Sequence, residues 1–236
     1  MRHLIAVWKK EMRIYFVSPV AYVFLAVYLF LAGVFFYLGV TLTGEASLRV
    51  LLGNLAITLV FVLPMLTMRQ FAEERRQGTL EMLLTSPVPL AAVVVGKWAA
   101  SLTLCLLMFL GTLLFPAVLA YYGDPDWGVV ATSYLGLIGV ASGFCAAGLF
   151  ASSLIDDQVA AGLIGVVMLL PFWLVGRSEA LLPDDMAEKL RDFGVLAHLD
   201  SFNRGVIDSI DVYYFVCFTA VFLFLTYRSV ESRRWR

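Results

Sequence analysis

Charge is what this sequence has least of. Asp, Glu, Lys and Arg make up 15% of its 236 residues, where soluble domains carry roughly 25%. The formal net charge is -1. A phosphate-binding surface needs a basic excess on one face, so this balance argues against nucleic acid as a partner. Histidine occurs twice, as His3 and His198, and cysteine three times, as Cys105, Cys145 and Cys217. The cysteines all lie in apolar stretches with neither CxxC nor metal-ligand spacing, which reads as lipid-facing or packing thiols and no metal centre. No HExxH, nucleophile elbow or Cys/His pairing occurs, so the chain lacks a catalytic set and is not read as an enzyme. Gly96-Lys97 has only a superficial likeness to a phosphate loop. Position 91 is alanine where that loop needs glycine, and Trp98 stands where Ser or Thr is required. Nucleotide binding by that device is excluded, and no cofactor is expected in the chain.

What the chain has instead is apolar length. Hydrophobic residues make up 61% and the mean hydropathy is +0.87, above the roughly 45–50% apolar share of soluble domains. A bilayer core of about 30 Å needs about twenty apolar residues in helical form. Six stretches qualify: Val20 to Leu42, Val50 to Met68, Trp98 to Tyr122, Val129 to Ile155, Val159 to Gly176 and Val212 to Tyr227. The first is longer than the 7–15 apolar residues of a secretory signal and has no persuasive cleavage site, so it is expected to stay as a span. If the N-terminus lies inside, the inner segments hold 12 of the 17 Lys and Arg residues and the outer ones 5. The positive-inside rule therefore places both termini in the cytoplasm. The turn at Asp156 and Asp157 carries no cation, and the rule alone does not put it inside.

None of the six blocks has an ionisable residue in its middle. Proton relays and many ion-coupled transporters depend on such groups, so a source of energy outside the membrane interior is favoured. The fourth block sets Gly139, Gly143, Ala147 and Ala151 at four-residue spacing, which lets another helix approach closely. Pro64 interrupts the second block and is expected to kink it or loosen its ladder, a candidate hinge.

The chain reads as an all-α membrane protein, one domain over 1–236. Residues 1–18 form an interfacial amphipathic helix, with Leu4, Val7, Trp8, Met12 and Tyr15 on one face and Lys9, Lys10 and Arg13 opposite, ended by Ser18-Pro19. The stretch 69–97 reads as helix, break, short helix, break, helix. Residues 71–77 continue the second span with charges facing water, and Gly78 stops it because it accepts a left-handed conformation. Residues 79–84 can form one and a half turns, with Glu81 near the positive end, and Ser86-Pro87-Val88-Pro89 ends it. Leu80, Met82, Leu83 and Leu84 would be poorly placed in water. A membrane surface or a protein groove would satisfy them. In the acidic outer segment 177–211, Pro183-Asp184-Asp185 suits a helix start, with Met186, Leu190 and Phe193 on one face.

The pattern Glu74, Gly78, Thr79, Glu81, Leu83, Leu84 and Pro87, followed by Gly96-Lys97, resembles the permease subunits of type-2 ATP-binding cassette exporters. The resemblance implies that 69–97 contains a coupling helix docking on a separate cytoplasmic ATP-binding subunit, where ATP and magnesium are held. It also implies a plasma (bacterial inner) membrane location and a second permease subunit, identical or related. The outer segment would then carry short exofacial helices before the last span. Ser18 to Leu38 and His198 to Phe215 look like the gliding-motility-associated subgroup, in which the second permease tends to carry a large extracytoplasmic domain. The implied function is export driven by the partner's ATP hydrolysis. The rival is a non-transporting scaffold that anchors a motility or secretion complex.

Overall fold

Proline, aspartate and serine set where the helices of this chain begin. The computed structural model describes residues 2–43, 48–81, 88–122, 126–176 and 193–233. Among them run α1 (Arg2–Val17), α2 (Pro19–Thr43), α3 (Arg49–Thr67), α4 (Arg69–Arg76), α5 (Leu90–Thr112), α6 (Leu114–Tyr122), α7 (Trp127–Leu154), α8 (Gln158–Val175), α9 (Val195–Asn203) and α10 (Ser209–Arg233). Residues 79–81 are helical again, and no strand occurs among the described residues. Asp126 starts α7 by accepting from Gly128 N and Val129 N, and Asp157 starts α8 by accepting from Ala160 N. Each satisfies backbone donors that the first turn leaves without a partner.

Six helical stretches are long and apolar enough to cross a membrane: 19–41, 51–76, 90–121, 127–154, 158–175 and 209–233. The fold is an all-α membrane protein. The third span begins at Leu90, eight residues before the Trp98 expected from hydropathy, because Pro89 closes the preceding loop and its carbonyl accepts from Ala92 N at 2.9 Å. The same span steps at Leu113, between α5 and α6, where Pro116 has no N–H to return to the preceding turn.

α3 and α7 lie at the centre and bury most of their surface, whereas α2 faces outward along nearly its whole length. α7 packs on α3, α5, α8, α9 and α10, and α1 lies along α5. The small residues of α7 explain two of these contacts. A Cβ at Gly139 would come within 2.8 Å of the Phe215 ring, and one at Gly143 within 2.6 Å of the Phe218 ring, both on α10. Ala151 faces Gly165 of α8 instead. Four-residue steps turn roughly 40° on a helix of 3.6 residues per turn, so the stripe rotates by roughly 120° over its length and serves two neighbours. Pro64 of α3 sits against the same pair: a Cβ at Gly165 would meet Pro64 Cβ at 2.8 Å and one at Gly148 its Cα at 3.2 Å.

Candidate functional site

The stretch where the third helix gives way to charge is tied down by side chains from three other helices. α3 ends at Thr67, Met68 turns, and α4 begins. The new N-terminus has no side-chain cap of its own. Ser152 of α7 supplies one: its hydroxyl accepts from Phe71 N at 3.0 Å and Ala72 N at 3.1 Å and donates to Met68 O at 2.8 Å. Gln70, Phe71 and Ala72 are buried. Charges here were expected to face water, but Glu74 and Arg75 keep only 13% and 6% of their side chains exposed.

Lys97 explains the burial of Glu74. With its helix starting at Leu90, Lys97 lies inside α5 and is 1% exposed. The membrane helices therefore do contain a buried cation, near the α4 end. Its ammonium has three hydrogens and three oxygens around it: Glu11 Oε1 at 2.8 Å, Glu74 Oε1 at 3.0 Å and the Gln70 carbonyl at 2.7 Å. The Phe71 ring centroid lies 5.1 Å away. Lys10 reaches Glu74 Oε1 at 2.9 Å, so two ammonium groups and two carboxylates leave the cluster neutral. Gln70 Nε2 closes it by donating to Lys97 O at 2.9 Å and Ser101 Oγ at 2.7 Å, with Tyr15 Oη at 3.0 Å. Helices α1, α4 and α5 thus share one polar centre. The second oxygen of Glu74 is buried without a partner among the described residues.

Burial alone would lower the Lys10 ammonium, but its hydrogen bond to Glu74 and the charges of Glu74 and Glu11 outweigh that and hold it above its ordinary 10.5. Burial pushes the Tyr15 phenol well above its ordinary value, so it acts as a neutral hydrogen-bonding group. Lys97 cannot serve a phosphate loop. It lies seven residues into a helix, and its donors are taken up within the chain.

A second set of contacts ties α4 to the end of α7, and that end to α10. Arg75 pairs with Asp156 at 2.7 Å and donates to the Ser153 carbonyl. Arg233 donates to Leu154 O at 2.8 Å, and Ser153 Oγ donates to Ser229 Oγ at 2.9 Å. The Asp156-Asp157 turn, which charge counting left unplaced, therefore shares one end of the bundle with α1, α4 and the C-terminal end of α10.

Gly78 has φ 68°, and the helix stops there as a glycine in this region allows. Thr79 Oγ1 then donates to Glu74 O at 3.1 Å, satisfying one of the carbonyls left open. Leu80, expected on a face offered to a partner, is buried with Phe71, Val93, Val94, Leu149 and Val230. Glu74, the first residue of the pattern that suggested docking on a partner, is engaged within the chain. Thr79 and Glu81 are exposed; Met82, Leu83, Leu84 and Pro87 lie outside the described residues. The face predicted for α1 packs on α5, with Trp8 Nε1 donating to Thr103 Oγ1 at 3.0 Å and Val7 against Gly96. Sequence reasoning missed Glu11, Gln70, Lys97 and Ser152. A charge on the apolar side of α1, and another just before the third apolar block, were the signals.

At the opposite end, His198, expected in a loop, lies on α9, buried against Asp211 at 2.6 Å and stacked on Tyr214. In the outer segment, 177–192 lies outside the described residues, including the helix start expected at Pro183-Asp184-Asp185; Phe193 is exposed.

Six membrane-length helices, four of them around the central pair α3 and α7, with a charged segment continuing the second span at one end, define a polytopic membrane protein. The family described as ABC-2 family transporter protein matches residues 39–192, from the end of α2 through α8. The chain belongs to this family and is a transmembrane transporter subunit. No curated protein matches it.

Proposed function

We propose that this chain is the permease subunit of an ATP-binding cassette exporter, driven by a separate cytoplasmic subunit that binds ATP and magnesium. The observation that carries the reading is the Lys97 cluster, which joins α1, α4 and α5 at the root of the 69–97 segment. A push on the segment between α4 and α5 is then delivered to both spans and to α1 together, and moves them as a body. Leu80 anchors the near end of that segment. Thr79 and Glu81, with Met82, Leu83 and Leu84, form the docking surface, and Pro87 ends it. The α4 end faces the cytoplasm of a bacterial inner membrane, as the cation count supports, and both termini lie there. Two permeases, identical or related, stand above two ATP-binding subunits, and Pro64, seated on α7 and α8 within α3, is the hinge of the second span. The narrower subgroup, gliding-motility-associated permeases, rests on Ser18 to Leu38 and His198 to Phe215.

The test is affinity purification of the tagged full-length chain from its native membrane. An ATP-binding subunit is expected to co-purify with the wild type and to be lost with Leu83→Asp. A wild-type chain that brings down no such subunit overturns the reading.

A further inference from the structure

Between α5 and α10, with α7 as its floor and α9 at one end, lies a groove of about 520 Å³. Trp98 and Leu102 form one wall, Leu135 and Gly139 the floor, Val216 the other wall, and Phe202 the end. It opens to the surroundings of the bundle along Leu135, Val212 and Val216, which are exposed. No charged side chain lines it among the described residues. Its polar groups are already satisfied: Thr219 Oγ1 donates to Phe215 O at 2.8 Å, Ser142 Oγ donates to Thr219 Oγ1 at 2.9 Å, and Trp98 Nε1 donates to Ser142 O at 3.0 Å. A sugar, a peptide or a headgroup would lose its hydrogen bonds to water there and gain none.

The length is informative. Along α10 the lining runs from Val212 to Leu223, which at 1.5 Å per residue is ~16 Å. Half of a hydrocarbon core of ~30 Å is ~15 Å, the depth of one leaflet's acyl chains. From this we infer that the groove binds one acyl chain of a bilayer phospholipid, in the leaflet on the α9 side. Gly139 holds the groove open, because any side chain there would drive the Phe215 ring outward. The site needs neither nucleotide nor a partner subunit, so it stands apart from the coupling reading.

The test uses the full-length chain in phosphatidylcholine nanodiscs containing a phospholipid with a diazirine near the end of one acyl chain. Irradiation and peptide mass spectrometry then locate the inserted carbene. Labelling of the α7 and α10 groove residues is expected to exceed, several-fold, that of Tyr22 and Phe30 on the outer face of α2, which meet only bulk lipid. Ala220→Trp fills the groove from an exposed position and is expected to bring its labelling down to the α2 level, with α2 labelling unchanged as the check on folding. Val216→Trp, one turn away, is expected to do the same. Equal labelling of groove and α2 in the wild type overturns the proposal, as does a groove signal that survives both tryptophans. A disulfide dimer formed on mild oxidation by Val216→Cys in a Cys217→Ser background would show that a second copy fills the groove, which also overturns it.

Discussion

At the scale of single residues, the cluster around Lys97 is where one substitution leaves a buried charge without its partner. Removing one partner of a buried ion pair leaves an uncompensated charge and costs about 3–5 kcal/mol. Lys97→Met is therefore expected to lower the thermal midpoint of the detergent-solubilised chain sharply, because Glu11 and Glu74 then face each other with only Lys10 between them. Adding Glu11→Gln restores neutrality, and the double variant is expected to be more stable than Lys97→Met alone. Additive losses would show that the two residues do not share a site. Lys10 contributes differently. Its ammonium titrates above the value of a free lysine, so the stability that its charge contributes is fully present below the free value and is lost as pH rises through the raised one. None of this was legible from spacing, since Glu11 and Lys97 lie 86 positions apart and no local pattern pairs them. Lys97 counted as a loop cation because hydropathy starts the third block at Trp98, whereas the start fixed by Pro89 carries it into the helix.

At the scale of elements, the close contacts of α7 and the stop at Gly78 make separate predictions. Gly143→Leu places a side chain where Cβ alone would already lie 2.6 Å from the Phe218 ring. Overpacking of this kind costs about 1–3 kcal/mol, and the thermal midpoint should fall accordingly. Gly78 is a contrasting case, because a Cβ there meets nothing within 4 Å. Gly78→Ala is then penalised only by its left-handed backbone, about 1–2 kcal/mol, and Gly78→Asn should recover part of that loss in the same melting assay. Equal losses for alanine and asparagine would argue against a backbone origin. The existence of six spans, the break at Gly78 and the apolar face of α1 were readable from periodicity and turn chemistry, although that face was expected on the membrane surface and packs on α5 instead. The burial of Leu80 and Arg75 was not. Their partners, Leu149 and Asp156, come from α7 and the turn after it, and only the tertiary fold brings those alongside.

At the scale of the whole molecule, the contacts of Arg75 and Arg233 put the Asp156 turn at the same end of the bundle as α4 and the end of α10. In a chain whose native cysteines are replaced, Asp156→Cys is expected to react with a membrane-impermeant maleimide from the same side as a cysteine at Arg233, and Arg204→Cys from the other side. Labelling of positions 156 and 233 from opposite sides would contradict the arrangement. The same end of the bundle carries the 69–97 segment, and the central claim concerns what that segment does with the work of another subunit. The most direct measurement is ATP turnover by the complete complex in lipid, with the wild-type chain and with Leu83→Asp, at matched amounts of ATP-binding subunit. The account predicts that turnover in the presence of the wild-type permease exceeds that of the ATP-binding subunit alone and that Leu83→Asp returns it to the lone-subunit rate. Turnover that is the same with the wild type, with Leu83→Asp and without the permease would contradict it.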